Sequence, residues 1–181
     1  MEVINTPVSP YIQNAPIAYC ATTLESIYVD PGDEIEKLMT VSDELNLKPQ
    51  YIFITHGHID HAGGATEISE ILNVEIHGPH VDDKFLLDEL QKQGEMFGLQ
   101  SKNCNPDKWL DEGDVVTVGN EKLDVYFCPG HTPGHIIFFN KKGNLAIEIA
   151  PPKSFNKGLK KGASISEDGI CLTSLDNGCL L

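Results

Sequence analysis

Tyr51-Ile52-Phe53-Ile54-Thr55 runs without a break into His56-Gly57-His58-Ile59-Asp60-His61. The first five residues form a compact apolar run of strand length, and they read as a buried strand. Four ligand-type side chains then fall within six residues. A loop at the C-terminal end of a buried strand is the usual crevice for sites in α/β sheets. In extended backbone, residues i and i+2 point the same way, so His56 and His58 can converge on one ion. The spacing puts Asp60 at a helix N-cap and His61 at the start of that helix, where the pair can face a second ion. A polar loop whose histidines only cap backbone groups is the plain alternative. Three imidazoles and a carboxylate this close together favour metal, because these are the usual zinc ligands.

Outward from that stretch the chain alternates strand-like and helix-like pieces. Ile17 to Cys20 and Ser26 to Val29 read as short strands, the second stopped by Asp30-Pro31-Gly32-Asp33. Ile35, Leu38, Met39, Leu45 and Leu47 predict a helix from Asp33 to Asn46, and Ala65, Ile68, Ile71 and Leu72 predict another. Val74 to Ile76 reads as a strand ended by Gly78-Pro79, and Phe85 to Met96 as a helix. Val115 to Val118 and Leu123 to Phe127 predict a hairpin across Gly119-Asn120. Ile136 to Phe139 and Asn144 to Ile149 predict a second across Lys141-Lys142-Gly143.

Between the hairpins lies Cys128-Pro129-Gly130-His131-Thr132-Pro133-Gly134-His135. His131 occupies a Pro- and Gly-bounded loop, the setting of the first cluster. With His56 and His58 it would make a three-histidine site with an open fourth position, which is the catalytic zinc pattern. His135 reads as an outer or structural partner rather than a ligand. His77 and His80, flanking Gly78-Pro79, read first as exposed turn residues and second as a pocket wall.

The chain has 181 residues, enough for one domain with a core that needs no staple. Net charge is −14 and every basic side chain is Lys, so nucleic acid and anionic membrane surfaces are poor partners. No apolar run approaches the ~20 residues of a membrane span. The N-terminus lacks the cationic and apolar segments of a signal peptide. The five Cys are odd in number and form no C-x-x-C pair, so a cytoplasmic location is expected. Residues 1–150 read as the folded domain. Residues 151–181, rich in Gly, Ser, Lys and Pro, read as an atypical tail open to disorder.

His56-x-His58-x-Asp60-His61 after the strand Tyr51 to Thr55, followed by Pro129 to His135, resembles the metallo-β-lactamase superfamily. Asp30-Pro31-Gly32, Met96-Phe97-Gly98-Leu99 and Trp109-Leu110-Asp111-Glu112-Gly113-Asp114 resemble its short bacterial glyoxalase II-like branch, the hydroxyacylglutathione hydrolases. The resemblance spans roughly residues 3 to 147. It implies an α/β fold, the αββα sandwich, with its second half incomplete here. It implies a first metal on His56, His58 and His131, and a second that takes Asp60 and His61. Zinc is the implied metal, with iron or manganese as alternatives. Asp60 would be catalytic, orienting the attacking hydroxide, and the substrate would be a small thioester such as S-lactoylglutathione.

The family pattern continues beyond Leu145-Ala146-Ile147 with a Gly-Asp pair whose Asp bridges both metals, and later supplies another His. Here Glu148-Ile149-Ala150-Pro151-Pro152 follows, and no His comes after His135. Glu148, the nearest carboxylate, falls about two residues early. The second half therefore reads as truncated or replaced. A non-catalytic or one-metal protein, and another hydrolase of this fold such as a lactonase, are the alternative readings. The sparse apolar residues of the tail predict an uncovered face on the last two strands, and self-association through it.

Overall fold

The computed structural model describes residues 1–10 and 12–147. Glu148 and the tail at 151–181 lie outside the described residues, as does the end of the strand expected over Asn144 to Ile149. Strands β1 (Glu2–Val8), β2 (Gln13–Tyr19) and β3 (Glu25–Val29) are followed by helix α1 (Ile35–Glu44) and strand β4 (Lys48–Phe53). Next come α2 (Ile59–Ala62), α3 (Ala65–Leu72) and β5 (Glu75–His77). A 3₁₀ turn (Val81–Asp83) leads into α4 (Lys84–Leu87) and α5 (Leu90–Phe97). The described chain closes with β6 (Val115–Val118), β7 (Glu121–Phe127), β8 (Ile136–Asn140) and β9 (Leu145–Ile147).

The strands form two sheets, β1-β2-β3-β4-β5 and β6-β7-β8-β9. In the first, β3, β4 and β5 run parallel, while β1 and β2 pair antiparallel at the other edge. The second is an antiparallel meander. Parallel strands need crossovers, and α1 supplies one while α2 and α3 supply the next. The centre of the first sheet, β2, β3 and the end of β4, is buried on both faces, which explains its near-continuous apolar runs. Ile17, Tyr28 and Ile52 turn towards Leu38, Ile59, Ile68 and Leu90 of the helices. The alternate residues Ala18, Ile27, Val29 and Phe53 turn towards Val116, Leu123, Val125 and Phe138 of the second sheet. Phe53 and Phe138 stack across the sheets with ring centroids 4.9 Å apart.

This is a helix–sheet–sheet sandwich, the αββα architecture through its third layer. Among the described residues every helix precedes β6. The outer face of the second sheet is mixed in exposure, and the tail expected to leave it uncovered lies outside the described residues. Ile137 is fully buried and Ala146 nearly so, although Tyr126 and Phe139 remain partly exposed.

β1 lies at the edge of its sheet, where a strand tolerates the N–H that Pro7 lacks. Two local readings need correction. The helix expected from Phe85 to Met96 is two helices, broken at Asp88-Glu89. His77 and His80 are not exposed turn residues. The His77 side chain is 12% exposed and packs on Tyr51 and Phe53, and the His80 side chain is 16% exposed and packs on Phe127.

Candidate metal centre

Strand β4 ends at Phe53, and the chain then presents Thr55, His56 and His58 at the C-terminal edge of the parallel strands. His131 arrives from the β7–β8 connection of the second sheet. The backbone is tied across the sheets just below, where Ile136 donates its N–H to the Thr55 carbonyl at 2.9 Å. One ligand atom from each of His56, His58 and His131 lies within 4.8 Å of the others. His58 Nδ1 and His131 Nε2 are 3.1 Å apart. Two imidazole nitrogens on one tetrahedral ion, each at the usual bond length, sit ~3.3 Å apart. His56 is fully buried, and its Nε2 has no hydrogen-bond partner. A buried, unpartnered ring nitrogen is costly unless something binds it. These three residues fit a metal ion.

Burial lowers the pKa of His56 well below its ordinary value, helped by the neighbouring His61, His135, His58 and His131. Burial also lowers His58 and His131. All three are therefore neutral at pH 7, which is the form that donates a lone pair to a metal.

His61 and Asp60 are arranged differently from the spacing argument. His58 is the N-cap of α2, and Asp60 lies within the first turn with His61 after it. His61 Nδ1 is 3.2 Å from Asp30 Oδ2, and its Nε2 is 3.4 Å from Asp60 Oδ2. A second group of donors comprises Asp30, His56 and His61, all buried. Burial alone would lower the His61 pKa, but hydrogen bonds and charges from Asp30 and Asp60 outweigh it and carry it up to about 9. The Asp60 carboxylate, although burial opposes its charge, is held below its ordinary value by the hydrogen bond and charge of His61.

Asp30 reads in the sequence only as part of a turn and a family motif. It is fully buried, with a left-handed φ of 47°. Its carboxylate accepts from the Thr55 N–H at 2.7 Å and the Thr55 hydroxyl at 2.5 Å, as well as facing His61. A carboxylate at the C-terminal end of β3, beside the strand that carries the histidines, is the signal that placed it within reach. His135 is fully buried beside His56, with ring centroids 5.0 Å apart, and neither of its ring nitrogens has a hydrogen-bond partner. It belongs to neither donor group. Burial, with His131, His61 and His58 adding to it, pushes its pKa down to about 3.

These shifts predict a pH profile for the metal-free protein. His61 has a folded pKa of about 9 against an ordinary 6.5, so its stabilisation is complete below 6.5 and is lost as the pH rises through about 9. His135 has the opposite shift. The unfolded chain binds a proton below 6.5 that the folded chain refuses until about 3, so stability falls as the pH drops through that window. Each group contributes a slope of up to about 1.4 kcal/mol per pH unit. Stability is expected to peak near neutrality, and denaturant titrations across the pH range would show it. A profile that keeps rising well above neutral pH would contradict the His61 environment.

The sequence pattern defining the metallo-beta-lactamase superfamily matches residues 25–147, most of the described fold. The chain belongs to the metallo-beta-lactamase superfamily. Hydroxyacylglutathione hydrolase GloC of Haemophilus influenzae is 34% identical over 149 residues, covering 81% of this chain and 70% of GloC. The probable metallo-hydrolase YqgX of Bacillus subtilis is 30% identical over 143 residues, covering 78% of this chain and 66% of YqgX. The crystal structure of TTHA1623 in a di-iron-bound form superposes with a TM-score of 0.70 at 29% identity, over 80% of this chain and 70% of that one. The chain thus carries the metallo-beta-lactamase fold, together with histidine groups able to hold a metal, over about two thirds of the relatives' length. No helix among the described residues is long and apolar enough to cross a membrane.

Proposed function

We propose that the chain is a metal-dependent thioester hydrolase acting on an S-acylglutathione, as a hydroxyacylglutathione hydrolase does. One observation carries the reading: three imidazole donors from two different sheets converge within 4.8 Å around a buried nitrogen that lacks any other partner. His56, His58 and His131 would hold the ion. A zinc ion so held brings the pKa of water to about 7 and polarises a carbonyl.

The rest of the site supports hydrolysis. Asp60 is depressed in pKa and remains one-third exposed, so an ionised carboxylate is available to accept a proton from, and orient, the attacking water. A cleft of about 220 Å³, lined by His58, Ile59, Asp60, Gln93 and Phe97, opens beside it. Ile59 and Phe97 give that cleft an apolar wall against which a short acyl chain can lie. The substrate is a small molecule, and the net charge of −14 argues against nucleic acid. Zinc is our choice of metal, with iron or manganese as alternatives, and the cytoplasm our choice of location. Residues 1–150 constitute the catalytic domain in this reading.

A second reading, a one-metal or non-catalytic protein, is favoured by the engagement of both His61 nitrogens with Asp30 and Asp60. Elemental analysis of the purified chain is expected to give close to one equivalent of transition metal. Metal-loaded protein is expected to hydrolyse S-lactoylglutathione and to lose that activity on chelation. Loaded protein that leaves S-lactoylglutathione intact but opens lactones would establish the lactonase alternative, and inactivity on both would establish the non-catalytic one.

A further inference from the structure

We propose that Asp83, which no motif marks, is a positioning residue that holds the two histidine loops in register for metal capture. The proposal rests on the metal-site reading above. Asp83 ends the 3₁₀ turn before α4 and is fully buried, although its neighbour Asp82 is exposed. Its carboxylate makes three hydrogen bonds, and they go to both loops. Oδ2 accepts from the Gly57 N–H, between His56 and His58, at 2.9 Å. The same oxygen accepts from the hydroxyl of Thr132, next to His131, at 2.7 Å. Oδ1 accepts from the Gly134 N–H at 2.6 Å.

The backbone around Asp83 is equally close to both loops. His80 donates its N–H to the Gly134 carbonyl at 3.1 Å. A Cβ on Gly134 would lie 2.5 Å from the Asp83 nitrogen, and one on Gly57 would lie 3.2 Å from the Asp83 carbonyl oxygen. The turn is therefore wedged between the loops: Gly134 has no room for a side chain against Asp83, and a Cβ on Gly57 would meet the Leu86 Cβ of α4 at 2.7 Å. Three donors converge on a carboxylate that offers only acceptors, so an amide in its place meets at least one N–H or O–H with another donor. Groups that orient metal ligands from behind typically contribute about 10–100-fold in affinity.

Asp83→Asn keeps the side-chain shape and breaks this convergence, and Asp82→Asn removes the same charge one residue away without touching either loop. Zinc competition titration is expected to show affinity about 10–100-fold weaker for Asp83→Asn and unchanged for Asp82→Asn. The visible spectrum of the cobalt-loaded Asp83→Asn protein is expected to differ from wild type, because the donor geometry relaxes. A lowered melting temperature with wild-type affinity and a wild-type cobalt spectrum would reduce Asp83 to a stability residue and overturn the proposal. Equal weakening in Asp82→Asn would overturn it in favour of net charge. If Asp83→Asn does not fold, Thr132→Val removes one of the three bonds at nearly constant volume: weakened zinc binding supports the proposal and unchanged binding overturns it. Wild-type protein that takes up no zinc would overturn the metal-site reading and this proposal together, whereas wild-type binding with an unaffected Asp83→Asn overturns this proposal alone.

Discussion

Gly32→Ala is expected to yield a protein that is severely destabilised or fails to fold. A Cβ at this position would lie 1.7 Å from the Asp60 carbonyl oxygen and 2.3 Å from its carbon. Both obstacles are backbone, so no side-chain rotation relieves them. The neighbouring backbone is fixed as well. Gly64 donates its N–H to the Pro31 carbonyl at 2.8 Å, and a Cβ on Gly63 would stand 2.6 Å from the Gly32 carbonyl. Making room must pull the Asp30-Pro31-Gly32 turn away from α2, which separates the Asp30 carboxylate from His61. The cost should exceed the ~1–3 kcal/mol usual for overpacking a core, against a total stability of ~5–15 kcal/mol. Gly98→Ala is the control. Its φ of 72° strains an alanine, yet nothing lies within 4 Å of the added Cβ, so only about 1–2 kcal/mol of backbone strain is expected. Denaturant melts that place the two variants at equal stability would refute the packing argument.

His56→Ala is expected to abolish tight metal binding without abolishing the fold. The substitution removes a donor outright, so its effect should exceed the about 10–100-fold typical of groups behind the ligands. It also removes a buried nitrogen with no partner, which offsets part of the cavity it leaves. His135→Ala provides the contrast. That ring is buried just as deeply but belongs to neither donor group, so metal affinity should fall far less than in His56→Ala or His58→Ala. Zinc competition titrations of the three variants, with circular dichroism as a folding check, would rank them. A larger loss in His135→Ala would mean that the ligand from the β7–β8 loop had been misassigned.

The parts of this molecule legible in the sequence are those in which a local pattern and a global role coincide. Tyr51 to Phe53 read as a buried strand because β4 is covered on both faces, and the convergence of His56 and His58 followed from the period of extended chain. The hairpin at Gly119-Asn120 was readable from its turn chemistry. What stayed hidden depends on distant partners. Asp30 reads as a turn former, and only the approach of Thr55 and His61 gives it a second role. Asp83 is one of two adjacent aspartates in a polar stretch, and nothing in Val81-Asp82-Asp83-Lys84 tells which is buried. The Gly-Pro turn beside His77 carries no trace of Tyr51 and Phe53, on which the ring packs.

The donor set has a mechanical consequence, because it draws on both sheets. His58 and His131 are 73 residues apart in sequence, yet their nitrogens stand 3.1 Å from one another. An ion shared between them would act as a reversible cross-link that closes a loop of that length. A covalent bridge over a comparable span removes about 4 kcal/mol of chain entropy from the unfolded ensemble. Occupancy would then govern how firmly the second sheet stays docked on the first. Free ion at a hundred times its dissociation constant would add about 2.7 kcal/mol to the folded state. In a cell poor in the metal the two sheets would part more readily, and the lifetime of the protein would follow the supply of its ion.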